Sequence, residues 1–222
     1  MKHTEKEIQL LKDEINQMWK LVISQLEKTK RAFLNNDVEL ALEVVSLEKR
    51  VDAFELKIES NCENYIALYS PVAIDLRLVL SIMKISITLE RIADYAAGVA
   101  RHILDKDCNH LEKDLIDQLE LEKMFDILIG MMTDSFVAIN AESTQSCGKI
   151  LLKDDEVDAI YHSCFSKLEN HVATNPQDTH CAFKLILVIR KMERIGDHCS
   201  NIIEEIVFYV EAKVLKHGGS LA

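Results

Sequence analysis

Between residues 82 and 103 the chain places apolar side chains at Ile82, Leu89, Ala96 and Ile103, with Ile85, Ile92 and Val99 falling between them. Steps that alternate between three and four residues keep one stripe of a helix apolar, as the seam of a helical bundle requires. The pattern returns as Leu185, Met192, Cys199 and Ile206, interleaved by Val188, Ile195, Ile202 and Tyr209. Both segments are expected to be long core helices. Turn-forming residues gather at 35–37, 69–71, 105–110, 141–148 and 174–176, and the stretches between them predict six helices of roughly 30 residues each. Such lengths far exceed the globular mean of about 11–12 residues and favour elongated bundles. Only six Gly and two Pro in 222 residues leave few helix breakers, and seven Phe, five Tyr and one Trp are few for a sheet protein. The expected fold class is all-α.

The sequence also repeats itself. Val51, Asp52 and Ala53 match Val157, Asp158 and Ala159 at an offset of 106, while Glu90, Arg91, Ile92 and Asp94 match Glu193, Arg194, Ile195 and Asp197 at an offset of 103. Three residues are lost between the two matches, and Pro71 and Pro176, offset by 105, mark the loop where the loss falls. The expected architecture is therefore two tandem three-helix bundles, residues 1–106 and 107–222.

Each half carries two carboxylate pairs at i, i+4, which point the same way around a helix. They are Glu48 with Asp52 and Glu90 with Asp94 in the first half, and Asp154 with Asp158 and Glu193 with Asp197 in the second. Glu55 and Glu59 continue the first stripe, while His162, Asn201 and Glu204 continue the second. Like charges at this spacing weaken an isolated helix by a few tenths of a kcal/mol, so their recurrence asks for a reason. A solvated face laced with ions from Arg50, Arg91, Lys153 and Arg194 is one reading. The sharper one joins the pairs across antiparallel helices into an outward-facing oxygen-rich patch suited to Mg²⁺, Mn²⁺ or iron, with His162 or His198 as nitrogen donors. A buried di-iron enzyme centre is disfavoured, because no glutamate has a histidine three residues later.

Charge narrows the function classes further. With 37 Asp and Glu against 26 Lys and Arg, the chain carries a formal charge of −11, which repels nucleic acid. Its six cysteines form no CxxC pair, and Cys199 and the methionines Met83, Met124, Met131, Met132 and Met192 read as packing residues. The opening MKHTEKEIQLLKDEI contains no apolar signal region, and no uncharged apolar run approaches a membrane span. A soluble protein of the reducing cytoplasm is expected, touching membranes only through partners.

The phrase ERIGDHCSNIIEE at residues 193–205, the run PVAIDLR at 71–77, and an E/DxxxD pair on the second helix of each half together resemble the PhoU family, from about Glu5 to Lys216. This resemblance implies a cytoplasmic, all-helical protein, a homodimer or larger, that is not an enzyme. It implies metal ions (Fe, Mn, Mg or Zn) held by Glu48, Asp52, Glu90 and Asp94 at one site, and by Asp154, Asp158, Glu193, Asp197 and Asn201 at the other. It further implies a negative regulator of the phosphate-starvation response, connecting the ATPase subunit of the phosphate ABC transporter with a membrane sensor histidine kinase. Accessory protein of another phosphate transporter and metal-dependent hydrolase are the alternatives. The first half departs from the pattern, with Gly98 where the second has Asn201 and Arg101 where the second has Glu204. Counting ligands, the second site is expected to hold a cation more tightly.

Overall fold

Asp37 shows how the chain punctuates its helices. Helix α1 runs over Lys2–Asn35, Asn36 turns into the left-handed region at φ 51°, and the Asp37 carboxylate accepts the Leu40 amide at 3.0 Å to start α2, Val38–Tyr69. That bond satisfies one of the orphan amides of the first turn. Ser70, at φ 46°, closes α2 ahead of Pro71, and α3 spans Ala73–Ile103. In the second half α4 covers Lys113–Gln118, α5 Leu121–Asn140, α6 Cys147–Thr174 and α7 Thr179–Glu211, with a 3-10 turn at Pro176–Asp178 before α7. This computed structural model describes residues 2–105 and 113–215. The expected junction at 106/107 and Cys108 lie outside them.

The all-α class holds, and one expected helix is divided. Leu119 and Leu121 are both fully buried, yet two residues apart on a continuous helix they would lie about 200° from one another. Glu120 resolves the conflict by adopting φ 56°, ψ 30°, which ends α4 and starts α5 with both leucines turned inward. Its carboxylate reaches Lys167 of α6 at 3.0 Å.

Burial confirms the repeat position by position. Met18, Trp19, Val22, Gln25, Leu26, Thr29 and Ala32 of α1 are buried, and so are Met124, Phe125, Leu128, Met131, Met132, Ser135 and Ala138 of α5, each 106 residues further on. The seam of α3 is buried at every residue named from the sequence, and so is its counterpart in α7. These two helices run antiparallel through the centre. The Arg77 guanidinium donates to the Tyr209 carbonyl at 3.2 Å, Ser81 Oγ to the Glu205 carbonyl at 3.1 Å, and the rings of Tyr95 and His198 stack 5.6 Å apart. A second tie joins α1 to α5, where Trp19 Nε1 donates to the Met132 carbonyl at 3.1 Å and its ring meets Phe136 edge-on. One apolar core consequently runs through both halves.

Cys62, Cys147, Cys164 and Cys199 are buried in that core, where desolvation pushes the Cys62 thiol up to about 12 and those of Cys147 and Cys164 up to about 11. Thiolates are suppressed there, and packing is what these residues contribute. Met124, Met131, Met132 and Met192 are fully buried, and Met83 packs against the same core. No helix among the described residues is long and apolar enough to cross a membrane.

Truncating Leu119 to alanine should lower the unfolding free energy by about 2–5 kcal/mol in a urea melt. Leu68→Ala, at a side chain 73% exposed, should change it by less than about 0.5 kcal/mol.

Candidate metal-binding clusters

Antiparallel packing of α2 on α3 brings Asp52 face to face with Glu90 and Asp94. One carboxylate oxygen from each lies within 4.8 Å of the others, and among the described residues this is the one group of its kind close enough to share a cation. The three side chains are half-buried. The sequence placed them on the outward side of each helix; the neighbouring helix covers part of that side. Glu48, the fourth expected ligand, is instead paired with the Arg101 guanidinium. The positive charge that distinguishes the first half therefore falls on a ligand.

Crowding and partial burial raise the proton affinity of several of these carboxylates. Burial, then the Asp94 charge, pushes Glu90 up to about 7, with Arg91 opposing. Asp94 is raised by burial and by Glu48. Glu55 is raised by burial, Glu59 and Asp52, so it belongs electrostatically to the cluster although the sequence offered it only as a continuation of the stripe. The signal was its position three residues after Asp52, which keeps it on the same side of α2. Repulsion of this kind is what a hard cation relieves, and oxygen donors suit Mg²⁺, Mn²⁺ or iron better than Zn²⁺, which favours nitrogen and sulfur.

The second cluster, on α6 and α7, is arranged differently. Asp154 Oδ2 accepts the Ser200 hydroxyl at 2.6 Å, and its Oδ1 is buried without a partner. Gly196 makes room for it, since a Cβ there would stand 2.5 Å from Oδ1. Burial pushes Asp154 up to about 6 despite the Ser200 bond. Asp197 is paired with Arg194 at 2.8 Å. Asp158 is raised by burial and Asp197, and Glu193 by burial, Asp197 and Asp158. Asn201 Nδ2 contacts His198 Nδ1 at 3.4 Å rather than a carboxylate. His198 itself stacks on Tyr95, and burial, then Arg194, lowers its pKa, with Asp197 opposing. Of the two histidines offered as nitrogen donors, His162 is the one whose charge acts on Asp158.

Tyr95 and His198 occupy equivalent positions 103 residues apart, so they mark the local two-fold that relates the clusters, one on each side. Arg194 donates a hydrogen bond to Tyr95 while it pairs with Asp197.

This arrangement can be set beside known proteins. Residues 15–103 and 121–206 each match the PhoU domain. The chain belongs to the PhoU family. Each match contains one acidic cluster, so the domain and the cluster repeat together. A phosphate-specific transport system accessory protein PhoU homolog of Aquifex aeolicus is 35% identical over 213 residues, covering 96% of this chain and 95% of that protein. The PhoU protein of Escherichia coli K12 is 30% identical over 213 residues, covering 96% and 87%. The crystal structure of PhoU from Pseudomonas aeruginosa superposes with a TM-score of 0.84 at 25% identity over 94% of this chain and 99% of that one. A Streptococcus pneumoniae PhoU structure gives 0.86 at 24% identity over 96% and 99%, which supports the fold.

Raised carboxylates fix the sign of a pH dependence. In metal-free protein Glu90 goes from an ordinary 4.5 when unfolded to about 7 when folded. Its stabilising contribution is present below the lower value and is lost as pH rises through the upper one. Glu90→Gln in EDTA-treated protein should therefore flatten the stability profile between those two values and raise stability at pH 8 by about 1–2 kcal/mol after solvent screening, read by thermal melts.

Proposed function

We propose that this PhoU-family chain is an accessory protein of a phosphate-specific transporter and a negative regulator of the phosphate-starvation response. It acts as a cytoplasmic, homodimeric adaptor between the transporter's ATPase subunit and a membrane sensor histidine kinase, and it catalyses no reaction. The observation that carries this reading is full-length similarity to relatives named as phosphate-specific transport accessory proteins, together with a carboxylate cluster in each repeat. The same relatives favour this transporter over another phosphate carrier. The grooves around Lys153, Asn16 and Leu68 contain none of the cluster carboxylates. An open acidic face suits docking better than hydrolysis, which calls for a concave site.

Cations are the second part of the proposal. Asp52, Glu90 and Asp94 would hold one, and Asp158, Glu193 and Asp197 another. A bound cation would supply positive charge that inverts the local field, so that the face could meet an anionic partner. The first cluster is the tighter of the two, reversing the order expected from counting ligands. Its three oxygens already face one another and Arg91 approaches Glu90 only to 3.6 Å, whereas a cation at the second must displace Arg194 from Asp197, at 2.8 Å, and leaves Asp154 on Ser200.

In a Mn²⁺ titration, Asp94→Ala should cost more binding than Asp197→Ala; the opposite order would reinstate the ligand count. The adaptor role is tested by recovering the tagged protein from its own cells grown in ample and in scarce phosphate, with mass spectrometry of bound membrane proteins. The transporter ATPase or the sensor kinase should be recovered in amounts that change with phosphate, and recovery of neither would remove the signalling role.

A further inference from the structure

We propose that Gln25 is a positioning residue for the first acidic cluster. It acts as an internal tie that fixes the separation of α2 and α3 from the core side, and so the spacing of Asp52 from Glu90 and Asp94. The inference rests on the cation reading above and adds a residue that no carboxylate motif contains.

Gln25 lies on α1 and is completely buried. Its Nε2 donates to the Val44 carbonyl of α2 at 3.2 Å and to the Ala93 carbonyl of α3 at 3.4 Å. Val44 is one helical turn before Glu48, and Ala93 immediately precedes Asp94. A single side-chain amide thus spans both cluster-bearing helices, beside Asp94 on α3 and two helical turns before Asp52 on α2. Both carbonyls also lie inside helices, where the ladder already supplies each with a donor. The amide is not needed to satisfy them, and what it adds is a bond from α1 to each helix.

Packing alone does not explain a glutamine here. Its Oε1 is buried with no partner, a cost that an apolar side chain of similar volume would avoid. The second half makes that apolar choice. At the equivalent position α5 carries Met131, flanked by the same buried neighbours: Thr29 donates its hydroxyl to the Gln25 carbonyl at 2.7 Å, and Ser135 donates to the Met131 carbonyl at 2.7 Å. The two layers differ at that one position in having a polar tie.

The second half has a tie of its own, made by a carboxylate of the cluster. Ser200 of α7 donates to Asp154 of α6 across Gly196. The first-half counterparts are Ala97, Glu48 and Ala93. An alanine at 97 has no hydroxyl to give, and Glu48 is turned to Arg101. In the second repeat a hydroxyl joins the second and third helices directly; in the first the Arg101–Glu48 pair does so, and Gln25 adds a bond to each helix from α1. The Gln25 tie engages none of Asp52, Glu90 and Asp94, of which Glu90 meets Arg91 at 3.6 Å, whereas the Ser200 tie uses up a carboxylate.

The test compares Gln25→Met, which installs the side chain of the other repeat, in two backgrounds. With Asp158→Asn and Asp197→Asn, only the first cluster remains. There Gln25→Met should weaken Mn²⁺ binding, read from the EPR signal of the free ion, by about tenfold, as residues that orient ligands typically do. With Asp52→Asn and Asp94→Asn, only the second cluster remains, and its affinity should be unchanged. A loss shared by both clusters, or none at the first, overturns the proposal, because a general loosening of the core would act on both. If the parent protein binds no Mn²⁺, the cation reading fails by itself. The crystal structure of Gln25→Met then decides the positioning role: altered spacing between Val44 and Ala93 supports it, and unchanged spacing overturns it.

Discussion

The apolar stripes of α3 and α7 leave water by packing against each other and against the flanking helices of their own repeats, and the rest of the molecule is arranged around that constraint. Two helices of about the same length, each with a seam of branched and small side chains, run antiparallel, so the repeats are related by a local two-fold near Tyr95 and His198. The remaining helices then cover the outer flanks of this central pair. Neither repeat closes its core alone. Trp19 reaches from α1 into α5, and the apolar cluster is continuous through both halves.

The same packing explains how the protein tolerates a costly surface. Carboxylates at i, i+4 on adjacent helices repel one another, and partial burial raises the proton affinity of Glu90, Asp94, Asp158 and Glu193. Arg91, Arg101, Arg194 and Ser200 offset part of that crowding locally. It persists because the seams directly behind it, from Leu89 to Ala96 and from Met192 to Cys199, hold the helices where they are. Stability comes from the core, and the electrostatic cost is placed where a cation or a positively charged partner can relieve it.

Repetition with small departures gives the two clusters different characters. Arg101 occupies Glu48 in the first, while Arg194 and Ser200 occupy Asp197 and Asp154 in the second. A protein built from one domain used twice thereby presents two faces of similar charge and dissimilar readiness to bind.

Much of this was legible in the chain. Period-seven seams fix which side of a helix is buried, because burying apolar area decides orientation before any partner is specified, and every seam residue named from the sequence is inside. The paired acids and the two repeats were equally plain, since helical geometry turns spacing into direction. The division at Glu120 was not, because a single left-handed residue is chosen by where Leu119 and Leu121 must go rather than by glutamate's own preference. Nor could spacing reveal that Asp154 turns inward onto Ser200, that His198 lies against Tyr95, or that Gln25 bridges two backbones. Those contacts join residues 19 to 103 positions apart, and their partners are set by interhelical distances of a few ångströms. The sequence determines which residues share a helix face; only the packed helices decide which side chains are close enough to commit to one another, because hydrogen bonds and ion pairs fail over an ångström that a hydrophobic pattern does not register.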